Sequence, residues 1–584
     1  MQGAINTRRQ HALRSNEQMR LHLLLLLVLC APVGAQGVDW STVELELADA
    51  IEDAVDTRKA AGMALVVVHE GEVRMSIARG FADRGRKTPM TLETPMPIGD
   101  LTRVYAAALS LRLVEQNQLA LDDSVLSVLP DQRFSRDAGA MTVRQLLTHH
   151  SGLAPNWLNG MFHEAGTSAR LPDELPMSYA PGTLMNSSNL GYALLGRVLE
   201  AKGGASFSAL LQREIVSPLA LQNTGVAIDE RTARAHRKGK PLDPLIARDT
   251  ASLGVVSSAI DLARLLIALD PASGGDWLSP ATRESMTAVQ NAEVALDVGN
   301  AVGLGWELAT SLRPGVGQVA IQSSGYPNFR AELRWLPTHR LGIVAIANWR
   351  EAYEPLDEVV AAATDAVLAS KGIEPREKDR PLPEHVGLPP GAVASAFAPT
   401  YATPLGMMVF APEGARFDAQ FLGFDFRVDP RSDGWWGLRF RFLGVLPIDV
   451  DAVSRVLIRP VIIDGREALL AYARDRYFLF GSKIDTRAGE FDDIVGSYRL
   501  VNGDALTEQL EVETIDIDIA DGILALAYEL PFVLTIRPRV ALRPLGGDRY
   551  AVAGFGPNLG DELRIVRGDR PRIEYSGYIA EKEE

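Results

Sequence analysis

The chain has 584 residues, more than one ordinary hydrophobic core accommodates, and this length predicts about three or four domains. Its content of 47% hydrophobic and 23% charged residues is typical of a folded globular protein rather than a disordered or fibrous one. The formal net charge of −15 argues against nucleic-acid binding, because a phosphate backbone needs clustered lysines and arginines.

Residues 1–35 have the pattern of a cleavable secretory signal. Four arginines precede the apolar run Leu23–Leu29, and small residues follow up to Ala35. The run is too short to cross a bilayer, so we expect a periplasmic or secreted protein without a membrane span. Cys30 is the only cysteine of the chain and lies inside this signal, so the mature protein would have no disulfide and no thiolate nucleophile.

The first elements after the signal are a hairpin and a core helix. Apolar runs at Met63–Val68 and Val73–Ala78 flank a short polar turn and predict two paired strands. Apolar residues at helical spacing predict a helix over Arg103–Gln116, with Asp100 as its N-cap. Later patterns predict helices at Val143–His149, Tyr192–Lys202, Ala259–Leu269 and Pro355–Ser370, and strands at Val319–Ile321, Ala331–Trp335 and Gly342–Ala347.

The last third of the chain has a different character. Residues 371–390 are rich in proline and charge and predict a linker between domains. Beyond it, short segments of alternating polarity predict an all-β region. The segment Phe397–Tyr401 is echoed by Ile494–Tyr498, which favours two small barrels, a lipocalin-like one over 391–487 and a second over 488–584. Chance similarity of two short strands is the alternative.

Residues 36–370 carry motifs of a known family. The segment Thr142–Leu153 reads TVRQLLTHHSGL, and it stands in order between Leu119–Val125 and the later segments Ser188–Gly196 and Gly303–Trp306. In these motifs the chain resembles the serine β-lactamase-like hydrolases, which include class C β-lactamases, D-alanyl-D-alanine carboxypeptidases, D-aminopeptidases and esterases. The resemblance implies an α+β fold, with an antiparallel sheet flanked by helices, and the barrels that follow resemble the D-aminopeptidase architecture.

The family's nucleophile motif is altered in this sequence. The family uses a serine at the start of a helix and a lysine three residues later that takes its proton. The corresponding positions here are Asp100 and Arg103. Arginine stays protonated in proteins and cannot act as a general base. In the whole chain, no lysine has a serine three residues before it.

The two other family motifs are changed to different degrees. The second motif, Tyr-x-Asn or Ser-x-Asn, corresponds to Ser187-Ser188-Asn189, which keeps a hydroxyl and the asparagine that holds substrate in the family. The third motif, Lys-Thr-Gly or His-x-Gly, corresponds to Ser323-Ser324-Gly325, where only the glycine remains. The resemblance therefore implies a cleft that lacks the strand cation of the family.

Several roles of these residues are open from the sequence. Asp100 is interpreted as a helix cap paired with Arg103, and also as a carboxylate that accepts backbone N–H groups in the former oxyanion hole. Catalysis by Asp100 itself, or by Ser187 or a neighbouring serine, lacks an evident base. His149 and the adjacent His150 are expected to be structural residues at a helix end.

The sequence therefore favours a non-catalytic relative, a pseudoenzyme that binds or scaffolds in the periplasm. The alternative is an active esterase, D-aminopeptidase or carboxypeptidase with altered site residues. A third hypothesis places the function in the barrels, which would contact a protein partner. A cell-wall peptide or another small acyl or peptide ligand is the expected occupant of the cleft, and no cofactor or metal is expected, since the nine histidines show no ligand spacing.

Overall fold

The computed structural model describes residues 38–374 and 397–583, with gaps at 57–60, 165–169, 238–239, 274, 311–313, 351, 414–415, 443–445, 449–455, 474–475, 485–490, 492, 511, 521 and 532–534. The predicted signal, residues 1–35, lies outside the described residues, as does most of the predicted linker. Within the described part of the chain, no helix combines the length and the apolar character that a bilayer crossing requires.

The first part of the chain is organised around an eight-stranded antiparallel sheet. From one edge to the other its strands are Ala301–Val302, Glu307–Thr310, Gln318–Ser324, Arg330–Leu336, Leu341–Ala347, Gly62–His69, Glu72–Asp83 and Thr88–Pro89. The predicted hairpin is confirmed, and its first strand also pairs with Leu341–Ala347.

Both faces of this sheet are buried. The strand Gly62–His69 at its centre carries apolar side chains on both faces. Met63, Leu65 and Val67 face a core that includes the helices Trp40–Asp56 and Tyr353–Ala369. The alternate residues of the strand face the larger core that contains the helix Thr102–Glu115. A two-sided apolar strand is therefore the centre of the domain.

All five predicted helices are present with both ends within three residues of the predicted positions, and Ala259–Leu269 has the predicted ends. The helix predicted over Val143–His149 ends at Leu147, since His149 has a positive φ of 62°. The helices are Trp40–Asp56, Thr102–Glu115, Val125–Val128, Val143–Leu147, Asn189–Gly203, Phe207–Leu211, Thr250–Leu253, Ala259–Leu269, Pro280–Thr287 and Tyr353–Ala369. A π-helical segment, Gln212–Val216, directly follows the helix Phe207–Leu211. Short 3-10 turns lie at Gly99–Leu101 and Pro337–His339.

Short strand pairs connect the helices. They are Met96–Pro97 with Val256–Ser257, Arg133–Phe134 with Glu174–Leu175, Phe162–His163 with Ile246–Ala247, and Ala235–Arg237 with Lys240–Leu242. The observed mixture of helices and an antiparallel sheet confirms the predicted α+β class.

The region after the linker forms two closed eight-stranded antiparallel barrels, as predicted. The first contains Thr400–Thr403, Gly406–Glu413, Arg416–Phe421, Phe424–Pro430, Trp436–Phe442, Leu457–Ile463, Arg466–Ala473 and Arg476–Lys483, with the short strand Leu446–Ile448 added beside it. The second contains Gly496–Leu500, Thr514–Ala520, Ile523–Ala527, Arg539–Gly546, Arg549–Val552, Glu562–Val566, Arg572–Tyr575 and Tyr578–Lys582, with the helix Ala505–Leu510 and the pair Leu530–Pro531 and Thr535–Ile536.

The echoed segments begin the two barrels in the same way. Tyr401 and Tyr498 are both buried in the first strand of their barrel. The Tyr401 hydroxyl accepts a hydrogen bond from the Ala398 N–H (3.0 Å), and the Tyr498 hydroxyl donates to the Ile494 carbonyl (2.6 Å). Each tyrosine thus ties its strand to the segment three or four residues before it. The domain bounds that the sequence suggested stay predictions.

Candidate functional site

The site lies where the helix Thr102–Glu115 begins. A 3-10 turn, Gly99–Leu101, precedes the helix, and Asp100 is the middle residue of this turn. The helix has Leu101 at its N-cap position, with no side-chain cap. The prediction that Asp100 caps the helix is therefore wrong, because a cap needs an extended backbone and the turn gives this position a helical one.

The side chain of Asp100 is paired with Arg103 instead. Asp100 Oδ1 and Arg103 Nη2 are 2.5 Å apart, and the side chains are 19% and 6% exposed. Residues three apart lie on one face of a helical segment, which explains the contact. The suggestion that the Asp100 carboxylate accepts backbone N–H groups is also wrong, since the carboxylate pairs with the guanidinium of Arg103. The Asp100 N–H donates to Ser324 Oγ at 3.1 Å.

Arg103 is the residue on which the site converges. Its Nη1 donates to Ser187 Oγ (3.3 Å) and its Nη2 donates to Asn189 Oδ1 (2.8 Å). The guanidinium carbon lies 5.7 Å from the ring centre of Tyr192, a cation-π distance. A buried cation requires compensation of this kind, and the charge of Asp100 and the dipoles of the other groups provide it.

Asn189 is held by protein groups on both sides of its amide. It opens the helix Asn189–Gly203, and the Ser188 hydroxyl caps this helix by accepting the Gly191 N–H. Asn189 Oδ1 accepts hydrogen bonds from Arg103 and Ser252, the latter at 2.6 Å, and Nδ2 donates to Asn156 Oδ1 at 2.9 Å. The asparagine is therefore a junction between three segments of the chain.

The strand Gln318–Ser324 brings Ser324 to the site, not the predicted candidate Ser323. Ser323 and Gly325 are exposed, whereas Ser324 is buried against Asp100. Gln322 is also buried and donates to the Gly305 carbonyl at 2.9 Å. Successive side chains of a strand point to opposite faces. This alternation is the sequence signal that places Gln322 and Ser324 on the buried face and Ser323 on the exposed one.

The two neighbouring histidines have structural partners. His149 Nδ1 accepts the Ser188 N–H at 3.1 Å, and its ring packs 5.1 Å from that of Tyr192. Burial, and then the positive charge of Arg103, holds the pKa of His149 well below 6.5, so its ring is neutral. His150 Nε2 lies 2.7 Å from Asp297 Oδ2.

The second barrel reaches the segments that carry the site. The Asn558 N–H donates to Asn186 Oδ1 (2.9 Å), one residue before the second motif. The Ser576 hydroxyl donates to the Asn156 carbonyl (3.2 Å), and Asn156 in turn contacts the site asparagine. These contacts join residues more than 370 positions apart, so no local pattern in the sequence indicates them.

The arrangement can bind and orient groups, but its central cation cannot accept a proton. Asp100, Arg103 and the amide and hydroxyl groups around them offer both hydrogen-bond donors and acceptors. Among the residues that the structure describes, no group of three or more His, Cys, Asp and Glu side chains could hold a metal ion.

Comparison with known proteins identifies the family of this chain. A family model described as Beta-lactamase matches residues 47–366. The chain belongs to the beta-lactamase family. The match covers the eight-stranded sheet and all of the candidate site residues, begins within the helix Trp40–Asp56 and ends within the helix Tyr353–Ala369, before the two barrels.

Proteins similar to this chain have names that indicate several different activities. Esterase EstB of Burkholderia gladioli is 30% identical over 236 residues, which are 37% of this chain and 60% of that protein. Penicillin-binding protein 4 of Amycolatopsis lactamdurans is 29% identical over 31% of this chain and 50% of its own. The D-aminopeptidase of Brucella anthropi is 29% identical over 29% of this chain and 34% of its own. The chain thus matches 60% or less of each relative.

Among solved structures, the chain is similar to SurE. The TM-score is 0.53 at 22% identity, and the match covers 75% of this chain and 99% of SurE. At this identity the likeness shows a shared fold and no more.

Proposed function

We propose that this member of the beta-lactamase family is a pseudoenzyme of the periplasm that binds a peptide ligand in its cleft without hydrolysing it. The observation that carries the proposal is the guanidinium of Arg103, which lies at the centre of the site and is bonded to Ser187 and Asn189. A family enzyme needs a proton acceptor beside a serine, and an arginine cannot take that proton.

The charge state of the surrounding groups supports the same proposal. The imidazole of His149 is neutral but buried, and its Nδ1 is occupied by the Ser188 N–H. The carboxylate of Asp100 is paired with Arg103 at 2.5 Å, which reduces its nucleophilicity. In serine hydrolases, loss of the nucleophile or of its base alone lowers kcat by about a millionfold.

The ligand class follows from the chemistry of the cleft and from the family. The partly exposed side chains of Ser187 and Asp100 place a hydroxyl, which donates and accepts, near a carboxylate, which accepts, and this suits the N–H and C=O groups of a peptide. We place the protein outside the cytoplasm because of the arginine-flanked apolar run at its N-terminus. The two barrels extend the protein beyond the family domain and are a proposed surface for a protein partner.

The names of the relatives favour a second candidate, an esterase or D-aminopeptidase with an altered site. Under that candidate, the nucleophile is Ser187, whose hydroxyl is hydrogen-bonded to the central cation at 3.3 Å from Arg103 Nη1. The two candidates differ in whether the ligand is consumed.

The test uses N-acetyl-D-alanyl-D-alanine with the purified full-length protein. Calorimetry measures binding, and mass spectrometry measures the release of D-alanine. We expect saturable binding without release. The variant Ser187→Trp, which fills the site beside Arg103, should abolish binding, whereas Ser208→Trp on an exposed helix position should not. Release of D-alanine in proportion to time would show an enzyme, and absence of binding would overturn this ligand class.

A further inference from the structure

Ser324 places its hydroxyl oxygen between two backbone N–H groups. The N–H of Asp100 donates to Ser324 Oγ at 3.1 Å, and the N–H of Tyr326 donates to the same atom at 3.4 Å. The serine is buried, with 6% of its surface exposed. Two N–H groups directed at one oxygen form the arrangement with which proteins hold a carbonyl oxygen or an oxyanion. Here the oxygen belongs to the chain itself.

The neighbouring residue Gly99 is fitted to this hydroxyl. Gly99 has a positive φ of 52°, and a Cβ at this position would overlap Ser324 Oγ. Any other residue at 99 would therefore displace the hydroxyl from the N–H group of Asp100. The backbone before the helix and the side chain on the strand are complementary in shape at this point.

Both N–H donors are fixed by contacts outside the pair. The Tyr326 hydroxyl donates to the Leu245 carbonyl at 2.6 Å, and its side chain is 2% exposed. The strand is tied through Gln322, which bonds the Gly305 carbonyl at 2.9 Å, and Gly305 packs against Ala107 of the site helix. The N–H groups therefore keep their spacing whether or not an oxygen lies between them.

We propose that Ser324 is a built-in occupant of this N–H pair and that it determines which ligands the cleft accepts. A tethered oxygen competes with a free ligand at an effective concentration on the order of millimolar or above. A ligand that presents an acyl oxygen to this pair must first displace the hydroxyl. This inference rests on the proposed binding function and refines it: the natural ligand engages the cleft through groups other than an acyl oxygen at this position.

The probe for the test is acetamide, a neutral molecule with one acyl oxygen. Binding is followed by the backbone amide resonances of Asp100 and Tyr326 in the full-length protein. We expect Ser324→Gly to give saturable shifts of both resonances, with an affinity at least about tenfold higher than that of the native protein, because two hydrogen bonds become available. Ser323→Gly is the matched control, since it changes the exposed neighbour on the same strand, and it should behave as the native protein does.

Ser324→Ala is the second variant because it keeps the Cβ and removes only the oxygen, and it should also gain the saturable shifts. The proposal is overturned if the native protein binds acetamide at these amides as well as the variants do. It is equally overturned if neither variant shows saturable shifts at both resonances. Either result leaves the dipeptide test of the proposed function intact, because that test reads binding and release in the native chain.

Discussion

Asp100 Oδ1 and Arg103 Nη2 lie 2.5 Å apart at the start of the central helix, and Arg103 is 6% exposed. This ion pair occupies the two positions at which the resemblance places the family's serine and lysine. A structural pair here has consequences for stability that a solvent-exposed pair would not have.

Removal of one partner should destabilise the protein more than removal of both. Asp100→Ala leaves the guanidinium of Arg103 buried without its counter-charge, and we expect the free energy of unfolding to fall by about 3 kcal/mol. Asp100→Ala with Arg103→Met removes both charges and should recover at least half of that loss. Urea unfolding measures both values. Equal losses in the single and double variants would contradict a compensated pair.

A side chain at position 99 should destabilise the protein by overlapping Ser324, and this effect can be measured separately from the strain of the positive φ. Gly99→Ala adds a Cβ that overlaps Ser324 Oγ, and we expect a loss of about 3 kcal/mol from strain and overpacking together. Gly139 has a similar φ of 50° with open space around it, so Gly139→Ala should lose only about 1 kcal/mol. In a Ser324→Gly background, the cost of Gly99→Ala should fall towards that of the control. An unchanged cost there would mean that the hydroxyl is not the obstacle.

The stability of the protein should depend on pH through Asp561. Burial raises the pKa of this carboxyl from 3.8 to about 6, although hydrogen bonds from Ser178 and Tyr575 and the charge of Arg136 oppose the rise. The unfolded chain releases the proton near pH 3.8 and the folded chain near pH 6. The contribution of Asp561 to the free energy of unfolding is therefore fully present below about pH 3.8. It falls by about 3 kcal/mol in total as the pH rises through about pH 6.

Asp561→Asn isolates this effect because an amide does not titrate. The free energy of unfolding of the variant, minus that of the native protein, should increase by about 3 kcal/mol between about pH 4 and about pH 7. Denaturant unfolding at several pH values measures the difference and cancels the other groups. A difference that does not change with pH would show that Asp561 titrates normally.

The contact between the first domain and the second barrel should depend on Tyr179. Its hydroxyl donates to the Gly556 carbonyl (2.8 Å) and accepts the Gly556 N–H (3.2 Å). Tyr179→Phe removes both bonds, and we expect a loss of about 2 kcal/mol in unfolding free energy, since two buried backbone groups lose their partner. Tyr477→Phe is the control because Tyr477 is 45% exposed, and it should change stability by less than about 0.5 kcal/mol. Equal effects of the two substitutions would contradict a specific contact.

Local patterns in the sequence predicted the parts of the fold that local physics determines. The helix Ala259–Leu269 and the hairpin of Gly62–His69 with Glu72–Asp83 follow from apolar patterns within short segments of the chain. The central strand follows from its continuous apolar run. In each case the signal and the structure lie within the same few residues.

The details of the site could not be predicted in the same way because they depend on residues far apart in the chain. Ser324 meets Asp100 across 224 positions, and only the pairing of sheet and helix brings them together. Asp100 looked like a helix cap because its residue type favours one, but the 3-10 turn moves the helix start beyond it. The contact of Asn558 with Asn186 depends on where the second barrel docks, which no motif in either segment encodes.

If the protein is a pseudoenzyme as proposed, none of its serines is activated for acyl transfer. The most direct test of this claim is intact mass spectrometry of the purified native protein after incubation with a fluorophosphonate, beside the variant Asp100→Ser with Arg103→Lys. We expect the native protein to keep its mass and the variant to gain one adduct. A stoichiometric adduct on the native protein would contradict the claim, and the modified residue would identify the nucleophile.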